Sequence, residues 1–434
     1  MAGHPREHLL SLIDRSIREA AAAGIMMQAA DDAPYSGRVV EVGGKKLLNF
    51  GGCSYLGLDQ RDELKEATIR AVERYGTQFS ISRAYLQSPL YEKLESALDE
   101  MTDGHTLVGP STTLSHAAAL PVLVQPGDAV LVDRFAHASV HSATALLGSV
   151  PVTRLPHGDM DRLEEKIVEL SKRYARVFYL VDGLYSMHGD FAPMVRIAEL
   201  LASHPQLHLY VDDAHSTSWL GRRGRGWALD VLPDRSRVVV ALSLNKAFSA
   251  AGGALVFPTA EARAMVRRCG GPMLFSGPIP PPMLGAALAS AELHLRSDFA
   301  DLQRGLAERI GLASFIANEL GLSFANEDAS PIFFVRCGTF ESLFPLMQSL
   351  LARGMFVCPG GFPAVAKDQS GVRFTLSIHN SEADIRAFLE TLVAEMNAHG
   401  VPLRRKVPES ADRVVAARRV RSSSVPPSRG SACT

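Results

Sequence analysis

The stretch Leu207-His-Leu-Tyr-Val-Asp212, continued by Asp213-Ala-His215, decides the fold of this chain. A short, largely apolar run that ends in an acid suits a strand buried inside a parallel sheet. The same pattern recurs at Ala129 to Asp133 (AVLVD) and Val177 to Asp182 (VFYLVD), and an apolar run follows at Val238 to Leu244 (VVVALSL). Helical spacings separate these runs from about Asp62 onward, and strands alternating with helices predict an α/β domain with right-handed crossovers. Ligands of open α/β sheets sit beyond the carboxyl ends of the strands, so Asp133, Asp182 and Asp212 are site candidates by position. An Asp there also serves as a helix N-cap, but three in register favour a site.

Outward from this centre, Leu9 to Ala23 shows helical spacing closed by Gly24, and Arg38 to Phe50 reads as a hairpin around Gly43-Gly44. The Pro-rich junction Gly277 to Met283 (GPIPPPM) precedes a long Ala- and Leu-rich helical pattern. Strand-like Pro331 to Val335, Met355 to Val357 and Val372 to Ile378 then alternate with helices to about His399, which predicts a smaller α+β domain. The expected divisions are an N-terminal helix and hairpin (1–50), a large domain (51–282), a small domain (283–400) and a tail (401–434). The tail is rich in Arg, Ser and Pro, cannot bury enough apolar area to offset chain entropy, and is expected to be disordered.

The chain has 434 residues, 47% apolar and 21% charged, with 45 basic and 46 acidic side chains. That length supports two or three domains, and the near-zero net charge gives no overall drive toward nucleic acid or an anionic membrane. The balance hides an asymmetry. Residues 401–434 carry eight basic and two acidic side chains, so the rest of the chain is acidic. The five cysteines are far apart and form no C-x-x-C pair, which argues against a disulfide framework or a zinc site and predicts no metal. The N-terminus lacks the uninterrupted apolar core of a signal peptide, and no run approaches the roughly 20 apolar residues of a membrane span. A cytoplasmic protein is expected.

Chemistry concentrates in two segments. In Ser243 to Gly253 (SLNKAFSAAGG), Lys246 directly follows a buried strand among small and apolar residues. A lone lysine is ordinarily a solvated charge, but an amine desolvated there gives up its proton more readily and can form an imine with a carbonyl cofactor. In Tyr210 to Trp227 (YVDDAHSTSWLGRRGRGW), Asp212 and His215 are spaced to hold a cofactor's ring nitrogen and its phenolic oxygen. A pyridine ring kept protonated by a carboxylate is an electron sink. His215 taken alone reads as a satisfied core histidine.

Nine motifs in order resemble the α-oxoamine synthases, fold-type-I pyridoxal-phosphate enzymes that join an amino acid to an acyl thioester with loss of carbon dioxide. They are YLGL at Tyr55, DRFAHASV at Asp133, LPHGDMDRLE at Leu155, DGLYSMHGD at Asp182, VDDAH at Val211, GRRGRG at Gly221, SLNKAF at Ser243, FSGPIPP at Phe275 and VRFTLSIHN at Val372. The resemblance implies an α/β fold with a mostly parallel central sheet and a smaller C-terminal domain, and pyridoxal 5'-phosphate as cofactor. It makes Lys246 the lysine that holds the cofactor and carries the proton, Asp212 the partner of the ring nitrogen, and His137 the ring stacked on the cofactor face. It sets His215 and Ser186 near the phenolic oxygen. Ser243 matches the hydroxyl that binds the phosphate. Ser111 and Thr112 open a helix whose free N–H groups favour an anion. Ser276 matches a hydroxyl that reaches the phosphate from a second subunit, which implies a homodimer. Arg373 matches the arginine that binds a substrate carboxylate, a task suited to a planar fork.

Departures fall on the substrate side. Cys53 stands where the family has an Asn that helps hold the amino-acid carboxylate. GTQFSISRAY from Gly76 replaces a glycine-rich stretch, Tyr91 stands where a His is common, and Asn245 precedes the lysine in place of Ser or Gly. Cofactor residues kept beside altered substrate residues imply a non-standard amino acid and thioester pair in secondary metabolism, with an acyl-carrier protein as a candidate donor and partner of the basic tail. The rivals are an aminotransferase of the same fold and a cofactor-binding regulator. The second is disfavoured because only about 50 residues precede the core, without a helix-turn-helix pattern.

Overall fold

The computed structural model describes residues 5–403 apart from 363 and 367, so all but the first three residues of the expected tail lie outside the described residues. A helix, Pro5–Ala22, leads to the hairpin β1 (Val39–Val42) and β2 (Lys45–Asn49). The chain then builds a seven-stranded sheet from β3 (His105–Gly109), β4 (Ala129–Asp133), β5 (Val152–Leu155), β6 (Val177–Asp182), β7 (Leu207–Asp212), β8 (Val238–Ser243) and β9 (Gly253–Phe257). Its order is β3-β9-β8-β7-β6-β4-β5. From β8 through β7, β6 and β4 to β5 every pairing is parallel, and only β9 runs against its neighbours.

Successive side chains of a strand point to opposite faces, and the two faces carry separate cores. Leu131, Tyr179, Val211 and Leu242 pack beneath helices Pro89–Thr102, Met160–Leu170, Met194–Ser203 and Pro281–His294. Val132, Leu180, Tyr210 and Ala241 pack beneath helices Thr112–Leu123, Ala138–Thr144 and Ala260–Cys269. Burial on both faces explains why β4, β6 and β8 are continuously apolar. The expected α/β architecture is therefore present, with three additional strands. β5 is an edge strand without a continuous apolar run, and β3 and β9 are short segments bounded by glycine, so periodicity did not mark them.

A second sheet pairs β10 (Ile332–Gly338), β13 (Ser370–Thr375) and β12 (Cys358–Gly360), all antiparallel, beside β11 (Met355–Phe356). The expected divisions at 50/51 and 282/283 are both crossed by packing. β11 pairs in parallel with β2, and Arg38 makes a two-pronged ion pair with Asp384, both contacts 2.7 Å. Ala20, Ile25 and Phe50 share one core with Leu343, Phe374 and Phe388. Helix Pro281–His294, beyond the expected boundary, packs on helices Asp62–Tyr75 and Pro89–Thr102 of the large domain. Long-range pairings of this kind leave no local mark in a sequence. Among the described residues no helix is long and apolar enough to cross a membrane.

Candidate active site

Parallel strands bring their carboxyl ends to one edge of the sheet, and the predicted residues gather there. Asp133, Asp182, Asp212 and Ser243 end β4, β6, β7 and β8. His137, Ser186, His215 and Lys246 follow within four residues. The N-terminus of helix Thr112–Leu123 closes one side. Ser111 caps it by accepting from Leu114 N at 3.1 Å, and Thr112 Oγ1 donates to the carbonyl of Leu242. Gly253 allows this approach, since a Cβ there would lie 2.5 Å from the Thr112 nitrogen. The first backbone N–H groups of the helix thus face the ends of β8 and β9, an arrangement that favours an anion.

Asp212 is buried, and its Oδ2 lies 3.0 Å from His116 Nε2, while His116 Nδ1 lies 2.8 Å from the Tyr210 hydroxyl. Burial opposes ionisation of Asp212, but His116, Lys246 and His137 outweigh it and hold its carboxyl below the usual range. Asp182, its register partner on β6, is pushed the other way by burial and by the Asp212 charge. Asp182 Oδ1 accepts from the backbone N–H of His137 at 3.0 Å and so fixes the start of helix Ala138–Thr144. His137 is exposed, with its Nδ1 2.7 Å from Ser139 Oγ. Asp133 takes a structural part. It accepts from Phe135 N and Gly158 N and holds His157, which also meets Asp190 at 2.7 Å.

Lys246 is half-buried, and among the described residues its amine makes no hydrogen bond or ion pair. Its charge acts on Asp212, Asp182, His137 and His215, so it stands among them. His215 is buried. Burial first, then Lys246, Arg373 and His137, push its pKa well below the ordinary value and keep it neutral. Its Nδ1 lies 2.8 Å from the Tyr55 hydroxyl. Arg373 is buried on β13, and its Nε donates to the Ser186 carbonyl at 2.7 Å. Burial works against its charge, yet Tyr55, Cys53 and Cys358 raise its pKa. No carboxylate pairs with this guanidinium among the described residues, an arrangement that suits an anionic ligand.

Cys53 is half-buried beside Arg373, and Cys358 faces Arg373 across the β12–β13 pair. Ser243 is buried and donates to Asn245 Oδ1 at 2.6 Å, so the unusual Asn245 engages the hydroxyl expected to meet a phosphate. Ser276 lies apart from the strand ends in these contacts. Its hydroxyl donates to the Pro272 carbonyl, beside Phe275, which is 73% exposed. Tyr91 stands in the core rather than at the strand ends, with the Arg83 guanidinium 3.6 Å from its ring and its hydroxyl accepting from Ile279 N. Sequence reasoning did not find His116. Its only signal was a histidine one turn beyond Ser111 on a face that the sheet buries.

A profile described as aminotransferase class I and II matches residues 45–392. The 8-amino-7-oxononanoate synthase of Beijerinckia indica subsp. indica is 31% identical over 365 residues, covering 83% of this chain and 90% of that protein. The protein of the same name from Symbiobacterium thermophilum is 31% identical over 346 residues, 79% of this chain and 87% of its own. Among solved structures, serine palmitoyltransferase of Sphingomonas wittichii superposes with a TM-score of 0.83 at 22% identity, over 92% of this chain and 100% of that one. That last likeness concerns the fold. The profile spans most of the chain and the relatives match it over most of their length, so the chain belongs to the class I and II aminotransferase family and, within it, to the pyridoxal-phosphate-dependent α-oxoamine synthases.

Proposed function

We propose that the protein condenses an amino acid with an acyl thioester, releasing carbon dioxide and a thiol and leaving an α-aminoketone. The observation that carries this reading is the grouping of Lys246, His137 and Arg373 around neutral His215, with ionised Asp212 beside them.

Pyridoxal 5'-phosphate fits the donor set. The start of helix Thr112–Leu123, approached through Gly253, offers N–H groups to a phosphate. Asp212 offers an ionised carboxylate to a ring nitrogen, Lys246 an amine to a carbonyl, and His137 an exposed ring to a ring face. Bound there, the cofactor supplies the electron sink that stabilises a carbanion at the amino-acid Cα.

The remaining work belongs to the chain. Arg373 binds the substrate carboxylate with the guanidinium N–H groups left after Nε has bonded Ser186. Lys246 Nζ takes the Cα proton and returns it after carbon dioxide has left, a role its freedom from other partners permits. His137, whose backbone is tied to Asp182, holds the ring plane. His215 and Ser186 stand ready for the phenolic oxygen, and Ser243 for the phosphate once it leaves Asn245. Between the two proton transfers the substrate Cα attacks the thioester carbonyl carbon, the C–S bond breaks and the thiolate leaves.

A homodimer with shared sites is part of the proposal. Ser82 Oγ donates to the Leu274 carbonyl at 2.6 Å, which sets the Ile81 to Leu86 segment beside Phe275. Ile81, Tyr85, Leu86 and Phe275 are all exposed there, and an apolar patch of this kind suits a second copy that would bring Ser276 to the neighbouring site. The altered Gly76 to Tyr85 stretch and Cys53 support a non-standard substrate pair in secondary metabolism. The eight basic side chains of residues 401–434 support contact with an acidic acyl-carrier protein. A cytoplasmic location fits such chemistry.

The test is to incubate the holoenzyme with glycine, alanine or serine and a short or long thioester on coenzyme A or carrier protein. Carbon dioxide release with an aminoketone mass is expected. Formation of pyridoxamine phosphate and a keto acid instead would favour the aminotransferase reading. Light scattering should give a dimer mass, reduced toward one chain in Phe275→Asp. Unchanged kinetics with a carrier-bound donor after removal of residues 404–434 would argue against the tail contact.

A further inference from the structure

The Tyr55 hydroxyl stands between His215 and Arg373, the residues assigned above to the cofactor and to the amino acid. Tyr55 is fully buried, and its oxygen lies 2.8 Å from His215 Nδ1. The same hydroxyl faces the Arg373 guanidinium and the Cys53 thiol. We infer that Tyr55 is a positioning residue that keeps the proton of His215 on Nε2 and links that ring to Arg373, so that one hydroxyl joins the amino-acid pocket to the cofactor pocket. This assignment rests on the reading of Arg373 and His215 given above.

Hydrogen-bond donors and acceptors around the Tyr55 hydroxyl fix where its proton goes. A guanidinium only donates, so toward Arg373 the Tyr55 oxygen can only accept. The hydroxyl has a single proton left to give. Its choices are the imidazole nitrogen at 2.8 Å and the Cys53 sulfur, and sulfur is the weaker acceptor. His215 is neutral because it is buried among Lys246, Arg373 and His137, so one of its nitrogens must lack a proton. The nitrogen facing the Tyr55 proton is Nδ1, which leaves the hydrogen on Nε2. The ring is held in place from behind, since Trp219 Nε1 donates to the His215 carbonyl at 2.7 Å.

Among the described residues His215 Nε2 has no hydrogen-bond partner. As an N–H it can donate to an acceptor oxygen, such as the phenolic oxygen of the cofactor. The opposite tautomer would turn a lone pair toward that oxygen, and two lone pairs repel. The identity of the nitrogen that carries the proton therefore matters to the cofactor, and it is decided by a tyrosine that need not touch the cofactor.

The experiment is ¹⁵N NMR of the full chain with labelled histidine, both without cofactor and loaded with pyridoxal phosphate, with the His215 signal assigned by its loss in His215→Gln. The expected result is a single tautomer, protonated on Nε2, in both forms. Tyr55→Phe, which keeps the ring in the core, should admit the other tautomer. It should also raise the pH midpoint of the loaded protein's absorbance by about one unit, as expected for loss of one good hydrogen bond to a charged oxygen. Arg373→Met, which frees the Tyr55 oxygen, should likewise admit the second tautomer.

A proton on Nδ1 in the parent protein would overturn the proposal without any variant having to fold. So would an unchanged tautomer and midpoint in Tyr55→Phe, and an unchanged tautomer in Arg373→Met would overturn the link to the amino-acid pocket. None of these readouts depends on turnover. Failure of the condensation reaction with every thioester would leave them standing, and their failure would leave the reaction standing.

Discussion

His116 and Asp212 form a buried pair, Nε2 to Oδ2 at 3.0 Å, that joins a helix on one face of the sheet to the carboxyl end of its central strand. The pair fixes the carboxylate that the proposed function assigns to a cofactor's ring nitrogen. His116→Ala removes this support and leaves Asp212 easier to protonate. Loss of a charge-assisted hydrogen bond worth about 1.5–3 kcal/mol should weaken cofactor binding roughly 10- to 100-fold. Absorbance titration of the cofactor-free protein measures the change, and His116→Asn should recover part of it.

Lys246 is expected to carry the cofactor. Borohydride reduction of the loaded parent should leave the cofactor's mass permanently on the chain, on the peptide containing Lys246. In Lys246→Ala no such increment should survive denaturation. A retained increment would move the attachment to another lysine.

Arg373→Lys keeps the charge but loses the planar fork and the Nε bond to Ser186. The KM for the amino acid should rise roughly 10- to 100-fold, in line with about 1.5–3 kcal/mol for a charge-assisted pair, while the KM for the thioester changes little. Steady-state kinetics with each substrate varied in turn separates the two. Equal loss on both substrates would argue against a carboxylate role.

His157 stabilises the sheet edge in a pH-dependent way. Burial disfavours its charge, but Asp133 and Asp190 on either side outweigh that and raise its pKa to about 9. A raised folded value means that the stabilisation is complete below the unfolded pKa of about 6.5 and is lost as pH rises through about 9. A rise of this size corresponds to about 3 kcal/mol. Urea midpoints should therefore fall between pH 7 and pH 10. In His157→Gln the midpoint should be lower at pH 7, and the profile should be flatter over this window.

Parts of this molecule were legible because they are local. The runs at Ala129 to Asp133, Val177 to Asp182 and Leu207 to Asp212 coincide with strands of the same bounds, since burial on both faces leaves a largely apolar signature. Lys246 stood out as a charge just beyond such a run. β5, at the edge of the sheet, had no such signature and was missed. Tyr91, whose place in the sequence points to a substrate-side change, lies in the core on helix Pro89–Thr102 under Arg83, because distance from a site is set by how helices and strands stack.

Local patterns alone were enough to find an α/β sheet, the edge of that sheet where its polar residues collect, and the lysine and aspartate proposed to hold its cofactor. Tertiary structure alone decided the partners. His116 meets Asp212 from 96 positions away, Tyr55 meets His215 across 160, and Arg373 reaches Ser186 across 187. Periodicity records which face of an element is buried, whereas the neighbour on that face is chosen by how whole strands and helices stack. The proton states of Asp212 and His215 depend on those neighbours, so they exist only in the folded chain.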